Sequence, residues 1–76
     1  MDEKLAGTLV TVQLNGKPRD FAGPLTLSGV LEQLGTIAKM VVIEHNGTVI
    51  PRSDYPETTV HEGDVLEIVH FVGGGS

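Results

Sequence analysis

Seventy-six residues suffice for one domain, and a chain this short buries only about 60% of its unfolded surface, which leaves no room for an elaborate buried catalytic cleft. It has no cysteine, so disulfide staples, thiolate metal sites and a cysteine nucleophile are all excluded, and stability must come from regular, well-paired secondary structure. Ten acidic residues against five basic ones, a formal charge of −5, argue against nucleic-acid binding, which needs Lys and Arg to neutralise phosphates, and suit docking onto a basic protein surface.

Met1 to Gly7 (MDEKLAG) is polar and reads as a flexible leader, residues 1–7, with no apolar signal-peptide core. No transmembrane stretch follows, so the expected setting is cytoplasmic, without membrane association. From Thr8 to Leu14 the pattern alternates, with Val10, Val12 and Leu14 on one side and Thr11 and Gln13 on the other. That is a half-buried strand. Asn15-Gly16 predicts a two-residue hairpin turn, because both central residues of a type I′ turn take positive φ. A second strand is expected over Lys17 to Phe21, at a sheet edge because Pro18 cannot donate to a ladder.

The period then changes. Leu27, Val30, Leu31 and Leu34 fall at i, i+3, i+4 and i+7, one apolar stripe on a helix. Thr26 or Ser28 is its N-cap and Gly35 its C-terminal stop. Gly29 inside the helix costs roughly 1 kcal/mol against alanine, and close packing is the only reason at hand. Val41 to His45 is a third strand, joined through a second Asn-Gly turn, Asn46-Gly47, to Thr48 to Ile50. Arg52 to Thr59 is irregular, with one helical turn near Ser53 to Tyr55. Glu62-Gly63-Asp64 is a turn, and Val65 to Val72 is the last and most apolar strand. The expected core is Val10, Val12, Leu14, Leu27, Val30, Leu31, Leu34, Val41, Ile43, Leu66 and Ile68. The class is α+β: one main helix crossing one face of a mixed sheet of four to five strands, the helix supplying the right-handed crossover needed if the first and last strands run parallel at the sheet centre.

Alternation on the last two long strands turns Leu66, Ile68, Val41 and Ile43 toward the helix. The outer sheet face then shows Val42, Val69 and Phe71, flanked by Glu44 and Glu67, and an apolar cluster beside the terminus is a candidate docking surface. His45, His61 and His70 are not spaced as ligands on one face of one element, so no metal site is assigned. Asp54, Glu57, Glu62 and Asp64 sit in turns, where carboxylates serve local hydrogen bonding, and no pair of them suggests acid–base chemistry.

Several pieces occur together in order: Leu14-Asn15-Gly16, the Leu27 to Leu34 helix, Asn46-Gly47, Val49-Ile50-Pro51-Arg52, Glu62-Gly63-Asp64 and the ending Phe71-Val72-Gly73-Gly74-Gly75. In that order and length they resemble the ThiS family of sulfur carriers and, more distantly, the molybdopterin synthase small subunit and ubiquitin. The resemblance implies a β-grasp (ubiquitin-like) domain over residues 8–72 and a flexible glycine-rich tail over 73–76. It implies further that the protein is a co-substrate and not an enzyme, with no permanently bound cofactor. An adenylating enzyme of the ThiF type would use ATP to activate the carboxylate of Gly75. Sulfur from a donor protein would then give a thiocarboxylate, consumed by a ThiG-type thiazole synthase making the thiazole of thiamine.

The residues support the same site. Gly73 and Gly74 carry no Cβ, so a tail containing them can thread a passage narrow enough to exclude water. Val72 to Gly75 spans at most ~14 Å when extended. Ser76 departs from the family pattern, in which the chain stops at glycine, and while it remains the Gly75 carbonyl is held in a peptide bond. Two rival readings are a molybdopterin synthase small subunit or protein modifier, whose Pro-Pro-Val-Ala-Gly-Gly-like tail is missing here, and a passive β-grasp interaction domain, indifferent to clipping the glycines.

Overall fold

The computed structural model describes residues 8–71. The leader (1–7) and the tail residues Gly73, Gly74, Gly75 and Ser76 therefore lie outside the described residues, as does Val72. Strands β1 (Leu9–Leu14) and β2 (Lys17–Ala22) form the first hairpin, with Asn15 at φ 50° and Gly16 at φ 87°, the two positive values that a type I′ turn requires. A short β3 (Leu25–Thr26) leads directly into α1 (Leu27–Leu34). After a 3₁₀ turn, Ala38–Met40, come β4 (Val41–His45), β5 (Thr48–Val49), a longer 3₁₀ segment, Arg52–Glu57, β6 (Thr59–Val60) and β7 (Val65–His70).

Five strands make one mixed sheet in the order β2-β1-β7-β4-β5, with β1 and β7 parallel at its centre and the other neighbours antiparallel. Pro18 sits on β2 at the sheet edge, as its missing N–H requires. Thr26 is the N-cap of α1, its hydroxyl accepting from the Gly29 N–H at 3.1 Å, and Gly35 ends the helix in the left-handed region. Gly29 has a packing reason. A Cβ there would lie 3.3 Å from Leu25 Cδ1, so the helix start closes tightly over β3.

The helix lays Leu27, Val30 and Leu31 onto Val12, Val41, Ile43, Leu66 and Ile68 of the sheet. The expected core differs from the observed one in two ways. Val10, Leu14 and Leu34 are only partly buried, because they lie toward the rim of the helix–sheet contact. Phe21, Leu25, Tyr55 and Val60 are buried and complete the core. Leu25 and Val60 face each other across a separate two-residue ladder, β3 with β6, that the sequence pattern did not disclose. Tyr55 is delivered by the 3₁₀ segment, which covers the open side of α1. The last strand ends at His70, short of the expected Val72.

The centre of the sheet contains a gap that a side chain closes. The parallel β1–β7 ladder pairs only Gln13 with Val65 and Leu14 with Leu66, and β1 then turns away while β7 runs on. The Asn15 carboxamide takes over the ladder. Its Oδ1 accepts from the Ile68 N–H at 2.8 Å and its Nδ2 donates to the Ile68 carbonyl at 3.2 Å. Asn15→Gly keeps the turn's positive φ while removing both bonds. Leaving a part-buried N–H and C=O without partners should cost about 1–3 kcal/mol in a denaturant titration. A change below about 0.3 kcal/mol would show that water replaces the clamp.

Candidate functional site

The site is the end of β7, from which the chain continues toward Gly75. Because Met40–Phe71, Val42–Val69, Glu44–Glu67 and Asn46–Val65 are the hydrogen-bonded positions between β4 and β7, odd-numbered residues of β7 direct their backbone groups at β4. The Phe71 N–H closes that side, donating to the Met40 carbonyl at 2.9 Å. The last described residue before the tail is thus held to the sheet.

Three of the residues expected on the outer face come together there. Val42 and Val69 are direct cross-strand partners, 37% and 60% exposed, and Phe71, 43% exposed, lies two residues beyond Val69 on the same side. Glu44 and Glu67 are also direct partners on this face, a like-charge pair that is mildly unfavourable in the isolated domain. The face is broader than alternation on two strands suggested. Val65 is exposed on β7, and Val49 of β5 stands opposite Glu44. The same alternation would have found Val65; Val49 needed the hairpin register.

On the opposite, helix-side face a cleft of about 240 Å³ opens beside the end of β7, lined by Leu14, Asn15, Leu34, Thr36, Ile68 and His70. His70 Nε2 lies 3.1 Å from Thr36 Oγ1 across its mouth.

The other histidines are placed at a strand end and in a turn. His45 closes β4 and pairs with Asp64 at 2.8 Å, while His61 is exposed. Among the described residues no group of three or more His, Cys, Asp or Glu could hold a metal ion, and no helix is long and apolar enough to cross a membrane. Asp64 is a structural acid. It accepts from the His61 N–H at 2.8 Å, from His45 Nε2 and from Asn46 Nδ2 at 3.3 Å. Asn46 Oδ1 in turn accepts from the Val65 N–H at 2.8 Å, tying the second Asn-Gly turn to the start of β7.

The ThiS family model matches residues 12–75, from the middle of β1 through the third glycine. The chain belongs to the ThiS family. That is a family of non-catalytic sulfur carrier proteins. The sulfur carrier protein ThiS of Bacillus subtilis is 38% identical over 65 residues, covering 84% of this chain and 98% of the relative. A thiazole synthase of Paramagnetospirillum magneticum is 41% identical over 63 residues, 83% of this chain but 19% of that protein. The chain thus spans about a fifth of the length of that thiazole synthase and of the one from Magnetococcus marinus, 39% identical over 64 residues. The crystal structure of the thiamine biosynthesis protein ThiS from Geobacter metallireducens superposes with a TM-score of 0.72 at 36% identity, covering 87% of this chain and all of that one. The β-grasp expectation is met by this likeness and by the five-stranded sheet with its single main helix.

Burial alone would raise the Asp64 pKa, but the hydrogen bonds from the His61 N–H, His45 and Asn46 outweigh it and hold the carboxyl below its ordinary value. A depressed folded-state pKa stabilises the fold fully above the unfolded value, about 3.9, and that contribution is lost as pH falls through the folded value. Acid titration of the wild-type chain should therefore show a loss of stability below about pH 4 that Asp64→Asn lacks. Parallel acid profiles for the two chains would remove Asp64 from this role.

Proposed function

We propose that the chain is a sulfur carrier for thiamine biosynthesis whose working group is the carboxylate of Gly75. The observation that carries this reading is the family match running unbroken to residue 75, through Gly73 and Gly74, on a β-grasp domain whose central strand leads into them. An ATP-dependent adenylating enzyme would join the Gly75 carboxylate to the α-phosphate, releasing pyrophosphate and leaving an acyl-adenylate. Hydrosulfide supplied by a donor protein would attack the acyl carbon, breaking its bond to the AMP oxygen, so that AMP leaves and a thiocarboxylate remains with no change of oxidation state. Thiazole synthase would consume the sulfur and regenerate the carboxylate. ATP belongs to the partner, and the carrier holds no cofactor of its own. Relatives in which the matching stretch is part of a thiazole synthase support the pairing of carrier and synthase.

Glycine at 73 and 74 suits a passage that admits only backbone, and the domain supplies the handle. Val42, Val69 and Phe71 form the apolar centre of the proposed contact with the adenylating enzyme, with Glu44 and Glu67 beside them. Phe71→Asp should weaken that binding about tenfold or more with the fold intact, and association should slow as salt rises. Unchanged affinity would move the interface off this face, and an on-rate indifferent to ionic strength would remove the two glutamates from it.

Ser76 gives a sharper test. It follows Gly75, so the Gly75 carbonyl is an amide until Ser76 is released. One residue also displaces the terminal carboxylate by ~3.5 Å, where misplacement of about 1 Å already costs orders of magnitude in rate. With ATP, the adenylating enzyme and a sulfur source, a chain ending at Gly75 should gain the mass of one oxygen-to-sulfur exchange. The chain ending at Ser76 should not. Equal conversion of both would show that Gly75 is not the reactive group.

A further inference from the structure

The backbone of β7 is paired on its β4 side along its whole length, but on its β1 side the described residues supply no partner at the strand's end. Leu66, Ile68 and His70 direct their N–H and C=O groups toward β1. The Leu66 carbonyl accepts from the Asn15 N–H at 2.8 Å, and Ile68 is served on both groups by the Asn15 side chain. For His70 no described residue on that side supplies a partner. Beside this stretch, on the helix-side face, lies the cleft lined by Leu14, Leu34 and Ile68.

We infer that this free edge of β7 at His70, with the adjoining cleft, is a second docking element, where an extended segment of the adenylating enzyme adds as a strand and seats one apolar side chain. The inference rests on the carrier reading of the tail. An unpaired strand edge is recognised through main-chain hydrogen bonds, and specificity comes from a pocket for alternate side chains. Both parts are present here. The cleft, about 240 Å³, is smaller than the roughly 300–1,000 Å³ of small-molecule sites, which suits a single side chain better than a free ligand. Its floor is Leu14, Leu34 and Ile68, and its rim is polar, with Asn15, Thr36 and His70. Strand alternation would turn the neighbouring side chains of the added segment toward the outer face, where Val69 and Phe71 are exposed. One partner segment thereby joins the edge to the apolar surface already proposed for the adenylating enzyme. An enzyme that draws the residues after Phe71 into a closed passage meets this edge at the passage mouth.

The chain is short enough for chemical synthesis, which allows the His70 amide to be N-methylated. That change removes one donor and blocks strand addition without breaking any hydrogen bond of the described fold. A second variant, Thr36→Phe, fills the cleft and leaves the His70 backbone alone. Both are compared with wild type, each chain ending at Gly75, for affinity to the adenylating enzyme, with the amide spectrum of the sheet as the check on folding. Binding weakened about tenfold or more in both, with the sheet intact, is the expected result. Should N-methylation disturb the sheet, Thr36→Phe alone decides. Wild-type affinity in the folded variants overturns the edge proposal and leaves the carrier reading standing. Self-association of wild type that the variants lose, with enzyme binding unchanged, makes the occupant a second copy and also overturns it. Failure of wild type itself to bind the enzyme overturns the carrier reading, and this proposal with it.

Discussion

Everything in this domain hangs on the pairing of β7. It is the central strand, and its inward side chains, Leu66 and Ile68, are the floor on which α1 packs. Yet β1 gives it a ladder of only two residue pairs. A central strand left with bare N–H and C=O groups beneath a helix would lose several times the free energy that any one hydrogen bond returns. The two Asn-Gly turns resolve this. Asn15 holds Ile68 by both backbone groups, and Asn46, itself held by Asp64, holds the Val65 N–H at the other end. In both turns asparagine serves twice, by tolerating positive φ and by lending a carboxamide to β7.

That arrangement fixes the strand end from which the chain continues past Phe71. The strand leading to residue 71 is fixed from both flanks up to Ile68 and from the β4 flank to Phe71. Phe71, from which the chain continues, is thereby held in a defined position and direction. The charges divide along the same line. Asp64 is satisfied within the domain by three donors, whereas Glu44 and Glu67 face one another on the outer sheet and make no ion pair with any of the described residues. A carboxylate with its hydrogen bonds made holds turns together; a like-charged pair on the outer face, Glu67 exposed and Glu44 half-buried, fits the basic partner proposed for that face.

Much of this was readable from the chain. The helix stripe, both Asn-Gly turns and the 65–71 alternation each carry a local signal, with period or positive φ written in the residues. Accordingly α1, the two hairpins and the inward and outward sides of β4 and β7 stand where expected. What stayed hidden is non-local. Ladders of two residues such as β3–β6 have no period to detect, so Leu25 and Val60 gave no sign of burial. Tyr55 lies in an irregular segment and is buried only because that segment folds over α1. The Asn15 clamp joins residues 53 apart in the chain and depends on where β1 parts from β7.

The proposed working group of the chain is the carboxylate of Gly75. Intact-mass measurement of the protein isolated from its own cells addresses that assignment without reconstitution. A population ending at Gly75 is expected, part of it heavier by one oxygen-to-sulfur exchange at the terminal residue. A population that ends uniformly at Ser76, with no sulfur added, would contradict it.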